Sequence, residues 1–505
     1  MTCATRRVTR RARHDLVVWA VVLLATGAMA RPDVPGSDLF TFDVGDVVDT
    51  FDTEHFRIHF TTAGTHRVPV ADVDNDGVAD HVTRLAAIYE SALGAYALLG
   101  FLGPVSDDGL PDNGGDGRFD VYLVDFARSA DGAYRAERCD GEVCSGYMVQ
   151  ENDFAGYGYP SVDVGNRTVA SHELFHAVQA AYAVDQGAVF SEGTAVWASE
   201  RFDPTLRDLE GFAYGYLDNA ATPLDSGRGG PVDAFTYGAG IFFEYLSERF
   251  DDDVMLDLWQ HVGASADVFW FSEIDAVLAA RDSSFAEAFA EFSSWTLLTG
   301  RRADAARSFA NGSQMNEREG LPRTFPIEEA SFVLFTSSSR LLSASLDGRS
   351  ELQVGLVGAA SATDGVRVFL LPLTNGRPGD VVDATDGTVV AVAGANEVLV
   401  LAVNTRADGN SARPRLCVGD ADEVAACVTS GEGEGEGEGE GEAGDDDEGQ
   451  AAGGCAQAKT SSSSSLSLSL SLLLSLLWGR RRRSEASSAA PTKRSDHVLG
   501  AAPLA

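Results

Sequence analysis

One segment constrains this chain more than any other: Ala170-Ser-His172-Glu173-Leu-Phe-His176-Ala-Val-Gln179. On a helix, His172 and His176 lie one turn apart on the same face, so both imidazoles can reach one metal ion. Neutral imidazoles suit zinc, and Glu173 stands beside them, where a carboxylate can accept a proton from metal-bound water. The segment therefore predicts a helix that carries a metal site. The alternative is a pair of buried structural histidines.

A catalytic zinc ion needs a third protein ligand and an open coordination position. After His176 comes Glu192-Gly-Thr-Ala-Val-Trp197, which opens a second predicted helix. A turn at Asp185-Gln-Gly187 would bring this helix back against the first, and the small residues Gly193 and Ala195 would permit close approach. A third histidine is not supplied by the first helix, because Tyr182 stands where a three-histidine motif requires it. We therefore expect two histidines and one glutamate.

These segments resemble the gluzincin zinc metallopeptidases, and residues 50–300 resemble a group of secreted metalloproteases from myxobacteria. The features that carry the resemblance are Val73-Asp-Asn-Asp-Gly77, Phe119-Asp-Val-Tyr-Leu123, the segments at His172 and Glu192, and Tyr237-Gly-Ala-Gly-Ile-Phe-Phe-Glu-Tyr-Leu246. The resemblance implies that His172, His176 and Glu192 bind zinc and that Glu173 is the general base. It also makes Tyr237 the candidate donor to the oxyanion, although the sequence alone equally allows a core aromatic.

Two further polar residues have open roles. Gln179 and Glu200 either support the metal ligands or are simply solvated helix residues.

A second ion is predicted before the first helix. Asp72-x-Asp74-x-Asp76-Gly77-x-x-Asp80 matches the first nine positions of a Ca²⁺ loop, with oxygen ligands at alternate positions and glycine at the bend. Thr83 replaces the bidentate glutamate, so a complete EF-hand is not expected. The alternative is an acidic turn with Asp80 as helix N-cap. The same choice, Ca²⁺ site or solvated turn, applies to a second acidic loop with Asp107, Asp108, Asp112, Asp116 and Asp120.

The hydrophobic patterns predict an α+β protein. Period-two stretches in residues 40–70 and a buried run at 119–124 indicate strands, and residues 80–99 have helical periodicity. The pattern is helical from Val169 to about residue 310, and short β-branched runs follow. We predict a zincin-like catalytic domain, with a mixed sheet in residues 31–165 and the zinc-site helices in 166–310. An all-β sandwich at 325–428 follows it.

Four of the six cysteines lie as close pairs within the body of the chain, Cys139 with Cys144 and Cys417 with Cys427. In an oxidising compartment, two local disulfides are the simplest pairing. Free thiols are the alternative, and a zinc pair is less favoured.

Both ends of the chain look like targeting segments. Residues 1–30 have arginines, an apolar run and a small-residue cleavage pattern ending at Ala30, as secretory signal peptides do. Residues 429–454 form an acidic Gly/Glu linker. Residues 455–505 resemble the Cys-containing C-terminal sorting signals of Gram-negative bacteria, although residues after Arg483 extend beyond the usual stop. We expect an exported protein, extracellular or displayed at the outer membrane, whose membrane contact runs only through this last segment.

The net charge of -38 excludes nucleic acid as a natural partner, because such a chain repels phosphate backbones. The leading prediction is a secreted or surface-displayed zinc metalloprotease that acts as a monomer on protein or peptide substrates, with zinc and calcium as its ions. The alternative is a non-catalytic surface binding or adhesion protein on the same scaffold.

Overall fold

The computed structural model describes residues 31–34, 40–226, 234–264, 269–330, 332–358 and 363–432. The predicted signal peptide, most of the acidic linker and the sorting segment lie outside these residues. Over the described residues the chain has an α+β fold with three sheets, which confirms the predicted class. No helix in this part of the chain combines the length and apolarity needed to cross a membrane.

The first sheet has five strands in the order β1-β2-β3-β5-β4. They are β1 (Asp49–Asp52), β2 (Phe56–Phe60), β3 (Phe119–Val124), β4 (Gly132–Asp140) and β5 (Val143–Glu151). The three inner strands are parallel and both edge strands are antiparallel to their neighbours. Helix α1 (Asp80–Leu98) links β2 to β3 and packs on one face of the sheet, as the helical spacing of its apolar residues predicts.

The other face of this sheet is covered by the N-terminal segment. Phe42 joins Tyr122, Val124, Tyr147 and Val149 in a separate apolar cluster. These strand residues alternate with those that face α1, as the two-residue period of a strand requires.

Arg31 anchors the same segment, with 2% of its surface exposed. Its guanidinium contacts Asp107 and Asp120, and its Nη2 lies 2.8 Å from Glu137 Oε2. Asp120 is buried in β3 and also accepts a 2.6 Å contact from His59 Nε2. The prediction of a solvated turn is therefore wrong for Asp107 and Asp120, which are buried with an arginine as their countercharge. Ca²⁺ binding by this loop stays a prediction.

Helices form the middle of the chain and surround the predicted metal site. They are α2 (Val162–Gln179), α3 (Ala188–Phe202), α4 (Asp208–Leu217), α5 (Ala234–Gly238), α6 (Gly240–Phe250), α7 (Asp253–Gly263), α8 (Trp270–Ala279) and α9 (Phe285–Trp295). The helical part begins before the predicted Val169, because the Ser161 hydroxyl caps α2 by accepting the Val164 N–H at 3.1 Å.

Two further sheets enclose a common apolar core. The first contains β6 (Leu321–Arg323), β8 (Ser338–Ser345), β10 (Val366–Thr374), β11 (Arg377–Pro378), β12 (Val382–Asp383) and β14 (Glu397–Asn404). The second contains β7 (Ile327–Glu329), β9 (Glu351–Val357), β13 (Val390–Ala391) and β15 (Arg415–Gly419). Alternate residues of β8, β10 and β14 point away from this core and join the core of the helices. The two-sheet unit is therefore docked on the helical part.

The two-sheet unit ends in a helix, α10 (Ala421–Glu432). The prediction of an all-β unit over 325–428 is therefore wrong for its last residues. Asp420 and Glu423 form a reciprocal cap: each side chain accepts the other's backbone N–H at 2.9 Å. Cys427 on this helix is bonded to Cys417, and Cys139 is bonded to Cys144. Both predicted disulfides are confirmed.

Candidate metal centre

Helix α2 presents His172 and His176 on one face, one turn apart. Their ring centroids are 4.9 Å apart and both side chains are buried. Tyr96, on α1, donates its hydroxyl to the Ser171 carbonyl at 2.7 Å, which ties this turn of α2 to the helix beneath it. The histidines therefore project from a turn that is held in place by packing and by a buried hydrogen bond.

Helix α3 brings Glu192 to both histidines. Its Oε2 lies 3.1 Å from His172 Nε2 and 3.5 Å from His176 Nε2. The predicted role of Gly193 in the approach of α3 to α2 is wrong, because a Cβ there would meet the Phe243 ring at 2.6 Å. Gly193 instead allows α6 to pack closely against α3.

Gln179 orients the second histidine. Its Nε2 donates to the Ser191 carbonyl at 2.8 Å and to Thr194 Oγ1 at 2.9 Å, which leaves Oε1 to accept the His176 Nδ1–H at 2.8 Å. A proton on Nδ1 leaves the Nε2 lone pair free. Among the described residues, that buried Nε2 has no hydrogen-bond partner. The alternative that Gln179 is a solvated residue is wrong, since it is 4% exposed.

Charges at the centre are strongly coupled. Burial lowers the pKa of His172, although Glu192 opposes this. Burial also disfavours the charged form of His176, but the Glu192 carboxylate outweighs it and raises the pKa of His176 to about 9. Burial would raise the pKa of Glu192, but His176 and His172 hold it well below its usual range. An anionic Glu192 beside two imidazole nitrogens is one of the donor sets that can hold a divalent metal ion such as zinc.

Glu173 lies next to this centre and is 1% exposed. Its Oε2 accepts the Tyr134 N–H of β4 at 3.0 Å. Burial, together with the charge of Glu192, raises the pKa of Glu173 to about 8, although His176 opposes the shift. Gly132, the first residue of β4, allows this strand to lie close to α2, because a Cβ there would lie 2.4 Å from Val169 Cγ1. Gly132 and Tyr134 were not predicted as residues of the site, because no local sequence motif marks them.

Tyr237, on α5, also reaches the centre. Its ring stacks on His172 with the centroids 5.5 Å apart and the planes 11° apart. The hydroxyl is buried and has no hydrogen-bond partner within the described part of the chain. Burial, followed by the charges of Glu192 and Glu173, raises the pKa of Tyr237 well above its usual value. Two roles were predicted for Tyr237, donor to the oxyanion and core aromatic. It is buried like a core aromatic and lies beside a proposed ligand, so both predictions stay open.

No protein-family model and no curated protein sequence matches this chain. The resemblance to gluzincins therefore stays a prediction, and any functional conclusion depends on the geometry of the site.

The predicted Ca²⁺ loop is exposed. Carboxylate oxygens of Asp72, Asp74 and Asp80 lie within 4.8 Å of one another, and Asp76 is outside that group. Asp72 accepts the backbone N–H groups of Asp76 and Gly77 at 3.2 and 3.1 Å. The N-cap reading of Asp80 is wrong in detail, because Ala79 is the N-cap and Asp80 is the first residue of α1.

A third group of ligand-type residues, Asp43, Asp46 and His66, has no counterpart in the sequence analysis. His66 Nδ1 accepts the Asp125 N–H at 3.0 Å, so the neutral ring carries its proton on Nε2, which faces Asp43. That nitrogen then has no lone pair for a metal.

Proposed function

We propose that this protein is a zinc metallopeptidase of the gluzincin type with a zincin-like catalytic fold. The observation that carries the proposal is the convergence of His172, His176 and Glu192, in which one carboxylate oxygen lies 3.1 Å from His172 Nε2 and 3.5 Å from His176 Nε2. Two structural histidines would each need a partner of their own, whereas here both buried nitrogens face a single carboxylate oxygen, as the ligands of one metal ion do.

Zinc held by these three side chains would supply a Lewis acid and a water of lowered pKa. Glu173 Oε1 is the proton acceptor in this proposal, since Oε2 is already engaged by the Tyr134 N–H. A carboxylate at this position can take a proton from the metal-bound water and then pass it to the leaving amine. The hydroxyl of Tyr237 is the proposed donor to the developing oxyanion.

The position of β4 supports a peptide as substrate. Within the described residues β4 pairs only with β5, so its outer edge is the end of the sheet. The same strand contacts Glu173 through Tyr134. An extended peptide can add to such an edge through its backbone, which would lay the scissile bond beside α2.

Export, display at the surface of a Gram-negative bacterium and a monomeric state belong to the same proposal. Support comes from the sequence of the two ends and from the two disulfides, which an oxidising compartment allows. Calcium at Asp72, Asp74 and Asp80 is proposed as an additional ion.

The proposal is tested by zinc content and hydrolysis together. The wild-type protein should hold about one zinc and cleave unfolded casein. Glu173→Gln should keep the zinc and lower kcat by roughly 10²–10⁴-fold, because it removes only the proton acceptor. A matched control is Glu291→Gln, a half-buried carboxylate on α9 that pairs with Arg249 and accepts from the Tyr245 hydroxyl. A protein that binds no zinc contradicts the proposal, whereas zinc without hydrolysis favours the binding or adhesion alternative.

A further inference from the structure

A polar cavity of about 400 Å³ lies at the carboxyl ends of β3 and β5, which are neighbouring parallel strands. Most of its lining comes from two segments: Asp125 and Arg128 belong to the loop after β3, and Glu151, Asn152 and Asp153 end β5 or follow it. Open sheets with parallel strands commonly bind ligands at this edge. None of the proposed zinc ligands lines the cavity, so it is separate from the metal centre.

Glu151 brings a buried carboxylate to this cavity, and it is 2% exposed. Its Oε2 accepts the Phe126 N–H at 2.9 Å and lies 2.9 Å from the Tyr157 hydroxyl. Both contacts use the same oxygen, which leaves Oε1 for a ligand. A buried carboxylate is costly unless it is paired, and charged donors are its strongest partners. A positively charged group on the ligand would therefore suit this wall of the cavity.

Two half-buried carboxylates line the cavity beside Glu151. Asp125 Oδ1 accepts the Ala127 N–H and Asp153 Oδ1 accepts the Ala155 N–H, each at 2.6 Å. The three side chains are not among the described groups whose ligand atoms all lie within 4.8 Å of one another. One metal ion therefore does not match them. A ligand that matches them carries positive charge at more than one point.

A guanidinium lines the same cavity. Arg128 is exposed, and among the described residues it forms no ion pair with the carboxylates of the cavity. It lies against Gly156, where an added Cβ would be 3.0 Å from Arg128 Cζ. The cavity thus presents one positive group and three negative ones that do not pair with one another. With all of them ionised, the formal charge of the lining is about minus two.

We propose that this cavity binds a free cationic α-amino acid such as lysine. Its α-carboxylate would pair with Arg128, because a guanidinium binds a carboxylate through two parallel hydrogen bonds. Its α-ammonium and side-chain ammonium would pair with two of the three carboxylates. Such a ligand carries one negative and two positive charges, which complement the charges of the lining. The cavity volume is near the lower end of the range for small-molecule sites, as a ligand of this size requires.

Other ligands and a protonated site fit less well. Three carboxylates would repel a simple anion, and a diamine would leave the Arg128 guanidinium without a partner. The competing state of the empty cavity is a proton on Glu151. Burial, with the charges of Asp125 and Asp153, raises the pKa of Glu151 to about 7. Binding is therefore measured at about pH 8, where this carboxyl is mostly ionised.

The test is calorimetric titration of the full chain with L-lysine, cadaverine and norleucine, after dialysis to remove free metal ions that would bind the amino acids. Cadaverine lacks the α-carboxylate, and norleucine lacks the side-chain ammonium. Lysine should bind at least about tenfold more tightly than either, because each analogue loses a charge-assisted contact. Equal binding of lysine and either analogue overturns the proposal, and so does the absence of lysine binding.

Arg128→Asn tests the recognition of the α-carboxylate. The side chain is exposed, and asparagine tolerates the left-handed backbone of this position, with a φ of 66°. Lysine should lose its advantage over cadaverine, whereas cadaverine should bind no more weakly than to wild type. Asp153→Asn keeps the Oδ1 that accepts the Ala155 N–H and should weaken the binding of both ligands.

The matched control is Arg301→Asn, at an arginine whose side chain is 89% exposed and pairs with Glu317. It should keep the full advantage of lysine over cadaverine. Lysine bound at the zinc centre instead would keep that advantage in Arg128→Asn, and this result overturns the proposal. These measurements do not depend on hydrolysis, so failure of the peptidase proposal would leave their interpretation unchanged.

Discussion

The metal centre on α2 and α3 and the acidic loop at Asp72 both follow from sequence patterns of ion ligands, yet their surroundings differ. In the loop, Asp74 and Asp76 are exposed and Asp72 is half-buried, and Asp72 and Asp76 accept backbone N–H groups from within the same turn. At the centre, the side chains come from two helices and are buried, and the two imidazole Nε2 atoms share one Glu192 oxygen. The loop satisfies its carboxylates locally with backbone N–H groups, whereas the groups at the centre depend on one another.

The comparison teaches that spacing identifies candidate ligands but does not tell how much the fold depends on the ion. That dependence comes from burial and from the alternative partners each ligand has. Changes at the two places should therefore differ greatly in effect.

The largest effect is expected for Glu192→Ala. It removes the carboxylate whose Oε2 lies 3.1 Å from His172 Nε2 and 3.5 Å from His176 Nε2, so zinc content should fall from about one equivalent to near zero and hydrolysis should be lost. Mass spectrometry of the metal after dialysis measures the first quantity and casein cleavage the second. Asp74→Asn is the matched loop variant and should keep both. If both variants lost zinc and hydrolysis to the same extent, the centre and the loop would not differ in their importance for zinc binding.

Next comes Gln179→Ala, which should weaken zinc affinity by roughly 10–100-fold. The change removes the acceptor that keeps the His176 proton on Nδ1. Competition with a chromogenic chelator gives the affinity. An unchanged affinity in the alanine variant would mean that the hydrogen bond does not position the ligand.

The metal-free centre should show a pH dependence. The folded pKa of His176, at about 9, is raised above its ordinary value, so its pairing with Glu192 stabilises the fold fully below about pH 6.5. The contribution is lost as the pH rises through about 9, and we expect it to be on the order of 2 kcal/mol.

Urea unfolding of the metal-free protein between pH 6 and 9.5 measures this dependence. His176→Gln should have a smaller slope over that range, and zinc should also reduce the wild-type slope because the bound imidazole is neutral. Identical slopes for wild type and variant would contradict the assignment.

The smallest effect is expected from the loop. Asp74→Asn should leave zinc content unchanged and shift the free energy of unfolding without calcium by about 0.5 kcal/mol or less, because Asp74 is exposed and exposed carboxylates contribute little. Urea unfolding in calcium-free buffer checks the value. A loss of several kcal/mol would show that the loop supports the fold as strongly as the centre does.

Local patterns predicted the parts of the molecule that depend on near neighbours in the chain. The turn with His172 and His176, the helix at α1 and the two disulfides are of this kind. The contact of Tyr134 with Glu173 and the approach of α6 to Gly193 join distant segments, and no spacing rule reports them. Asp420 and Glu423 are three residues apart, so their reciprocal cap is a local sequence pattern. It could have identified the start of α10 from the sequence.

If the predicted leader is removed, the buried guanidinium of Arg31 determines which cleavage site is compatible with the fold. The predicted signal peptide ends at Ala30, so a cut there leaves Arg31 as the first residue of the released chain. A cut one residue later would strand Asp107, Asp120 and Glu137 without their countercharge. Molecules cut after Ala30 would then keep Arg31 and melt at a higher temperature than molecules cut after Arg31. A mixture of the two should show two melting transitions.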